Sequence, residues 1–129
     1  MDITLNIGLE VSKHYLPEGV AGMHLHYKYV EGIVKQTFGK PIYIGLAQSS
    51  TEKTLVVQYT NVQDVLQKLS WLARELQQGC IAYRIKDGGK IVGGALVGEY
   101  AHEWNYGIFD EEYFIEDTWH MKFHVGWPL

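Results

Sequence analysis

Seven carboxylates, Glu99, Glu103, Asp110, Glu111, Glu112, Glu116 and Asp117, fall in the last third of this 129-residue chain, with no lysine or arginine between Lys90 and Lys122. Threaded among them are Tyr100, Trp104, Tyr106, Phe109, Tyr113, Phe114 and Trp119. Carboxylates in such number suit three kinds of chemistry: holding a divalent ion, acting as an acid–base pair, or attracting a basic surface. Consecutive carboxylates on a strand or turn point apart, so Asp110, Glu111 and Glu112 do not converge on one ion or one reacting atom. Aromatic side chains supply contact area, while the acids select a basic partner and speed its encounter. The segment thus reads as a recognition surface, with Trp104, Phe109, Asp110, Glu111, Glu112 and Tyr113 as its contact residues. The competing reading is a solvated edge whose aromatics cap a sheet.

Histidine is the next candidate, because a neutral imidazole binds zinc and other divalent ions. Of His14, His24, His26, His102, His120 and His124, only His24 and His26 stand two apart. On a strand they share a face and can share an ion; on a helix they diverge by about 200° and cannot. Packing or surface roles fit the six better. The polar turn Gln48, Ser49, Ser50, Thr51 and Glu52 offers hydroxyls, an amide and a carboxylate to a small ligand, although turns between strands commonly have this composition. The pairs Gly88-Gly89 and Gly93-Gly94 lack the strand-to-helix setting and the lysine of a phosphate cradle.

The elements that must position these residues are legible in the hydrophobic pattern. Residues 3–11 alternate Ile3, Leu5, Ile7, Leu9 and Val11 with polar or small residues, which predicts a half-buried strand. From about Val20, Met23, Tyr27, Val30, Val34 and Phe38 keep helical spacing up to Gly39, although Met23 to Tyr29 also alternates as a strand would. The longer spacing favours the helix. Pro41 to Ala47 and Lys53 to Thr60 read as strands rich in residues that pack on a pleat. Residues 62–78 give the clearest helix, with Val62, Val65, Leu66, Leu69, Leu72, Ala73 and Leu76 in one stripe, Asn61 as its cap and Gly79 at its stop. Ile81 to Ile85 and Ile91 to Val97 flank Asp87-Gly88-Gly89, a hairpin signal.

That order, strand, helix, strand, strand, helix, strand plus one more strand, predicts an α+β ferredoxin-like sandwich. It makes 1–129 a single domain, with a core over about 1–98 and a C-terminal elaboration over about 99–129. Trp71 contradicts the helix it sits on, lying about 150° from the apolar stripe among Asp64, Gln67, Arg74, Glu75 and Gln78. An indole there needs cover, from the C-terminal segment or a Lys or Arg stem, or else serves as an anchor for a partner or a second copy of the chain.

Composition excludes several classes. A 47% hydrophobic and 20% charged sequence belongs to a folded globular protein. The N-terminal residues lack a cationic region followed by an apolar run, and no apolar stretch approaches the roughly 18 residues of a membrane span, so no membrane is expected. The single cysteine, Cys80, excludes an internal disulfide and fits a cytoplasmic, reducing compartment; it reads as a small buried residue. Residues 1–90 hold ten basic against eight acidic side chains, and residues 91–129 hold one against seven, so the two parts carry +2 and −6. Scattered lysines and arginines do not make a phosphate-binding patch, which argues against direct nucleic-acid binding.

Thr4 to Leu9, Gln48 to Val57, Gln78 to Ala82 and Tyr106 to Phe114 resemble stretches of a set of small uncharacterised proteins of bacteria and their mobile elements. The resemblance implies that Gln48 to Glu52 and Tyr106 to Phe114 belong to one design, and it transfers no catalytic residue. The expectation is a non-enzymatic binding protein, without cofactor and with a free sheet edge or Trp71 open to a homodimer, that presents an acidic aromatic surface to a basic protein partner. One version is an inhibitor that mimics nucleic-acid charge. A small metal-dependent hydrolase using histidines and tail carboxylates, and a small-ligand sensor, are the alternatives.

Overall fold

The computed structural model describes residues 1–20, 22–48, 53–101, 107–115 and 118–125, the last two stretches as backbone strands. The chain has an α+β fold. β1 (Asp2–Gly8), α1 (Tyr27–Phe38), β2 (Tyr43–Gln48), β3 (Lys53–Tyr59), α2 (Val62–Glu75), β4 (Ile81–Asp87) and β5 (Lys90–Val97) follow one another, with a short 3-10 turn at Lys13–Tyr15. Their five strands form an antiparallel sheet in the order β5, β4, β1, β3, β2. Strand order and connectivity are compatible with a ferredoxin-like sandwich. A last hairpin, β6 (Gly107–Ile115) and β7 (Thr118–Val125), meets the sheet where β7 runs parallel to β2 at Leu46 and Thr118.

The alternation of β1 does its expected work. Leu5 stands opposite Val57 on β3 and Tyr83 on β4, and Ile3, Leu5 and Ile7 are fully buried. Onto that face α2 presses Val62, Val65, Leu69, Leu72, Ala73 and Leu76, while α1 contributes Val30, Val34 and Phe38. Burying a Leu or Ile side chain is worth about 1.5–3 kcal/mol, so this one layer of helices supplies most of the driving force for folding.

Two boundaries differ from the sequence expectation, each for a local reason. The first helix starts at Tyr27, seven residues later than Val20, because His26 caps it: its Nδ1 accepts the Lys28 amide at 3.2 Å. Before the cap the chain is extended, with His24 bridged to Glu10 and the Leu25 amide donating to the Leu9 carbonyl at 2.8 Å. Met23 consequently lies on the surface rather than in the helix stripe. α2 ends at Glu75 instead of near Gln78, and the left-handed residue that turns the chain is Gln77, with φ 53°. Asn61 does not cap α2 by its side chain; its amide donates to the Asp64 carboxylate at 3.2 Å. The β4–β5 turn is as expected: Gly88 and Gly89 have φ of 58° and 83°, the pair of positive angles that a two-residue hairpin turn demands.

Tyr59 ties α1 to the sheet. Its hydroxyl donates to the Gly39 carbonyl at 2.7 Å and its ring meets Phe38 edge-on, with centroids 5.4 Å apart. Burial pushes the phenol pKa up from 10.0 to about 12. The folded state therefore holds this proton more tightly than the unfolded chain. Its contribution is complete below pH 10 and is lost as pH rises through about 12. Tyr59→Phe is expected to cost about 1 kcal/mol at neutral pH through the lost hydrogen bond. It should also flatten the fall in melting temperature above pH 10, where the wild type loses on the order of 2–3 kcal/mol from this group. Melting curves of both proteins from neutral pH to above pH 11 check both effects.

Part of the sheet's other face is buried as well. Thr4, Val56 and Arg84 are 2%, 0% and 1% exposed, and Ala47 is 4% exposed. Val56 and Ala47 pack with Tyr43, whose ring lies over Gly45.

Candidate functional site

Trp71 occupies the surface that its helical angle predicts. It is 52% exposed, near the middle of α2, on the side turned away from the buried stripe. Ile33, Gln36 and Thr37 of α1 and Lys68 and Glu75 of α2 join it in an open groove of about 380 Å³ between the helices. Lys68 is held at one side by Asp64 at 3.1 Å, and its Nζ also donates to the Thr37 carbonyl at 3.3 Å. Those bonds fix the lysine across the groove and leave the indole face open. An aromatic ring flanked by an acid, an amide, a paired lysine and an aliphatic side chain suits an apolar side chain with a polar end.

A second cluster joins the N-terminal loop to the beginning of the acidic segment. His14 stacks on Tyr100, with ring centroids 3.7 Å apart and planes 6° from parallel, and Tyr15 meets the same ring edge-on at 5.9 Å. The Glu99 carboxylate takes the Arg74 Nε–H at 2.9 Å. Burial first, and then the Glu99 charge, raises the Tyr15 pKa above 10.0. The Tyr100 amide donates to the Gly79 carbonyl at 3.1 Å, and the Ser12 amide donates to the Gln77 carbonyl at 2.9 Å. Gln78, 4% exposed, donates through Nε2 to the carbonyls of Glu10 and Leu76 at 3.1 Å each. These bonds clamp the start of the segment to the end of α2. Cys80 beside them is partly exposed rather than buried.

Sequence reasoning passed over this cluster because its members, apart from Arg74 on α2, are loop residues distant in sequence, without periodicity. Pairing of Glu99 with Arg74 shows one local signal, the opposite charges of the two parts of the chain. Arg84 was equally silent: on an alternating strand it reads as a solvent-facing position, yet burial pulls its pKa down to about 9.

The other expected site residues are dispersed. Gln48 ends β2, in register with Lys53, while Ser49, Thr51 and Glu52 lie outside the described residues, as does Trp104. Phe109, Asp110, Glu111, Glu112 and Tyr113 all fall on β6, where the register shifts between Phe109 and Glu111. His24 and His26 are both exposed, and His26 spends its Nδ1 on the helix cap. Among the described residues no three His, Cys, Asp or Glu side chains gather as a metal site, and no helix is long and apolar enough to cross a membrane. No family model, curated protein or solved structure matches the chain.

Proposed function

We propose that the protein is a non-enzymatic binding protein of the cytoplasm, a ferredoxin-like sandwich with an acidic C-terminal elaboration, which meets a basic protein partner. The observation that carries this reading is Trp71: a half-exposed indole seated in a groove between two helices, on an otherwise polar helix face. Exposing so large an apolar ring wastes the free energy of its burial, and tryptophan is enriched among the residues that dominate interface energies. Charge supports the choice of partner, since residues 91–129 carry seven acids and one base. In this reading Trp71 is the anchor and the acidic segment steers.

Capture from the source cell at low and high salt, followed by titration of the purified partner, tests it. Affinity is expected to fall steeply with salt. Trp71→Ala should weaken binding by about 30-fold or more, the effect of losing an anchor worth ~2 kcal/mol. Its melting temperature should move by less than about 2 °C, because the ring is half in water already. An unchanged affinity in Trp71→Ala removes the anchor from the proposal, and salt-independent binding removes the steering.

A further inference from the structure

Along the side of α2 that faces away from the sheet stand Asp64, Lys68, Trp71 and Glu75. At about 100° per residue these four positions fall within about 60° of one another, so they make one stripe down the outside of the helix. Asp64 holds Lys68 at 3.1 Å, whereas Glu75 is exposed and has no ion pair among the described residues. Lys68 and Glu75 lie about 10.5 Å apart along the axis, with Trp71 between them.

A stripe with a cation and an anion set on either side of a tryptophan is its own complement. A two-fold axis passing beside Trp71 lays the α2 of a second copy antiparallel to the first. Lys68 of each copy then stands opposite Glu75 of the other, and the two indoles lie side by side at the axis. Lys68 can serve both acids, because an ammonium has three donors and the Asp64 carboxylate and Thr37 carbonyl take two. Sliding the axis two residues toward the start of α2 sets Asp64 against Glu75 instead, so the charges select one register. On α1, Ile33 lines the groove and Tyr29, one turn before it, is half exposed, which adds apolar area to the same face.

We propose that in the free protein a second copy occupies the Trp71 groove, the two α2 helices packing antiparallel with Lys68 and Glu75 paired across the axis. α2 has 14 residues and so is about 21 Å long, and two helices side by side are about 20 Å wide. Their outer face offers roughly 400 Å² per copy, which makes the dimer a weak and reversible one. This inference rests on the reading of Trp71 as an anchor and says what fills that anchor before a basic partner arrives. Partner and second copy take the face in turn.

Sedimentation velocity of the full chain from about 1 μM to 500 μM, with no partner present, tests it. A monomer–dimer equilibrium with a Kd of ~10–100 μM is expected, and a chain that stays monomeric throughout overturns the proposal. Trp71→Ala should raise that Kd at least ~10-fold. An unchanged Kd puts the contact elsewhere, such as the edge strand β5, and overturns it equally. Lys68→Glu and Glu75→Lys should each dimerise at least ~10-fold more weakly than wild type, since each sets like charges across the axis. Mixed in equal amounts the two variants should pair again, because one carries acids at both positions and the other bases at both. A mixture no more dimeric than its components overturns the proposal. None of these results touches the affinity of Trp71→Ala for a basic partner, so the anchor reading stands or falls by its own titration.

Discussion

Leu5→Ala is expected to lower stability by about 2–5 kcal/mol, a large part of the roughly 5–15 kcal/mol that a domain of this size commands. Leu5 is fully buried in the central strand, flanked by Val57 and Tyr83 and facing the α2 stripe. Truncation removes three carbons from a site walled by strands on both sides and a helix above, where collapse into the space is limited. The cost is therefore the transfer term plus a cavity term. Urea unfolding should show the midpoint falling with the slope unchanged, since the same surface is exposed on unfolding. A loss below about 1 kcal/mol would mean that the layers close over the gap, and that the sheet and α2 are less rigidly apposed than their burial implies.

Gly98→Ala is expected to be comparably damaging by the opposite mechanism, addition of a single carbon. A Cβ at Gly98 would collide with the Gly79 carbonyl oxygen and lie 2.7 Å from Cys80 Cα and 3.0 Å from the Gly79 carbonyl carbon. All three atoms are backbone, so no side chain can swing away. The strand end must move instead, and with it the Tyr100 amide bond to the Gly79 carbonyl and the stacking of Tyr100 on His14. Overpacking of this kind costs about 1–3 kcal/mol and more where the backbone resists. The melting temperature should fall by at least about 5 °C. Gly93→Ala on the preceding strand, β5, is the control: no atom lies within 4 Å of its Cβ position, so it should differ little from wild type.

The same two sites show what a sequence can and cannot reveal. Leu5 announces itself, because alternation along β1 and the 3.6-residue stripe of α2 are direct consequences of burying one face of each element. Trp71 announces itself by violating that stripe. Gly98 looks like any glycine after a strand, since its reason lies in the backbone of Gly79, brought beside it only by the fold. The late start of α1 was hidden for a related reason: Met23 and Tyr27 fit the helical spacing, and only the capping bond of His26 decides where the helix begins. Arg84 gives no sign of its burial in the sequence, because an arginine on a strand has no periodicity of its own to mark it as interior. As for the site, the exposure of Trp71 was legible, whereas the junction of His14, Tyr15, Arg74, Glu99 and Tyr100 was assembled from three distant stretches.

The central position of β1 has a kinetic side. Its partners are β3 and β4, so Leu5 pairs with Val57 and Tyr83 and no neighbour in sequence satisfies the strand. Such non-local pairing must close long loops before any contact rewards it, which makes folding slower than that of helical bundles of similar size. During synthesis the chain emerges with Ile3, Leu5 and Ile7 exposed and waits until β4 has been made before both flanks of β1 can be filled. That interval is when this protein is most open to aggregation and most in need of a chaperone.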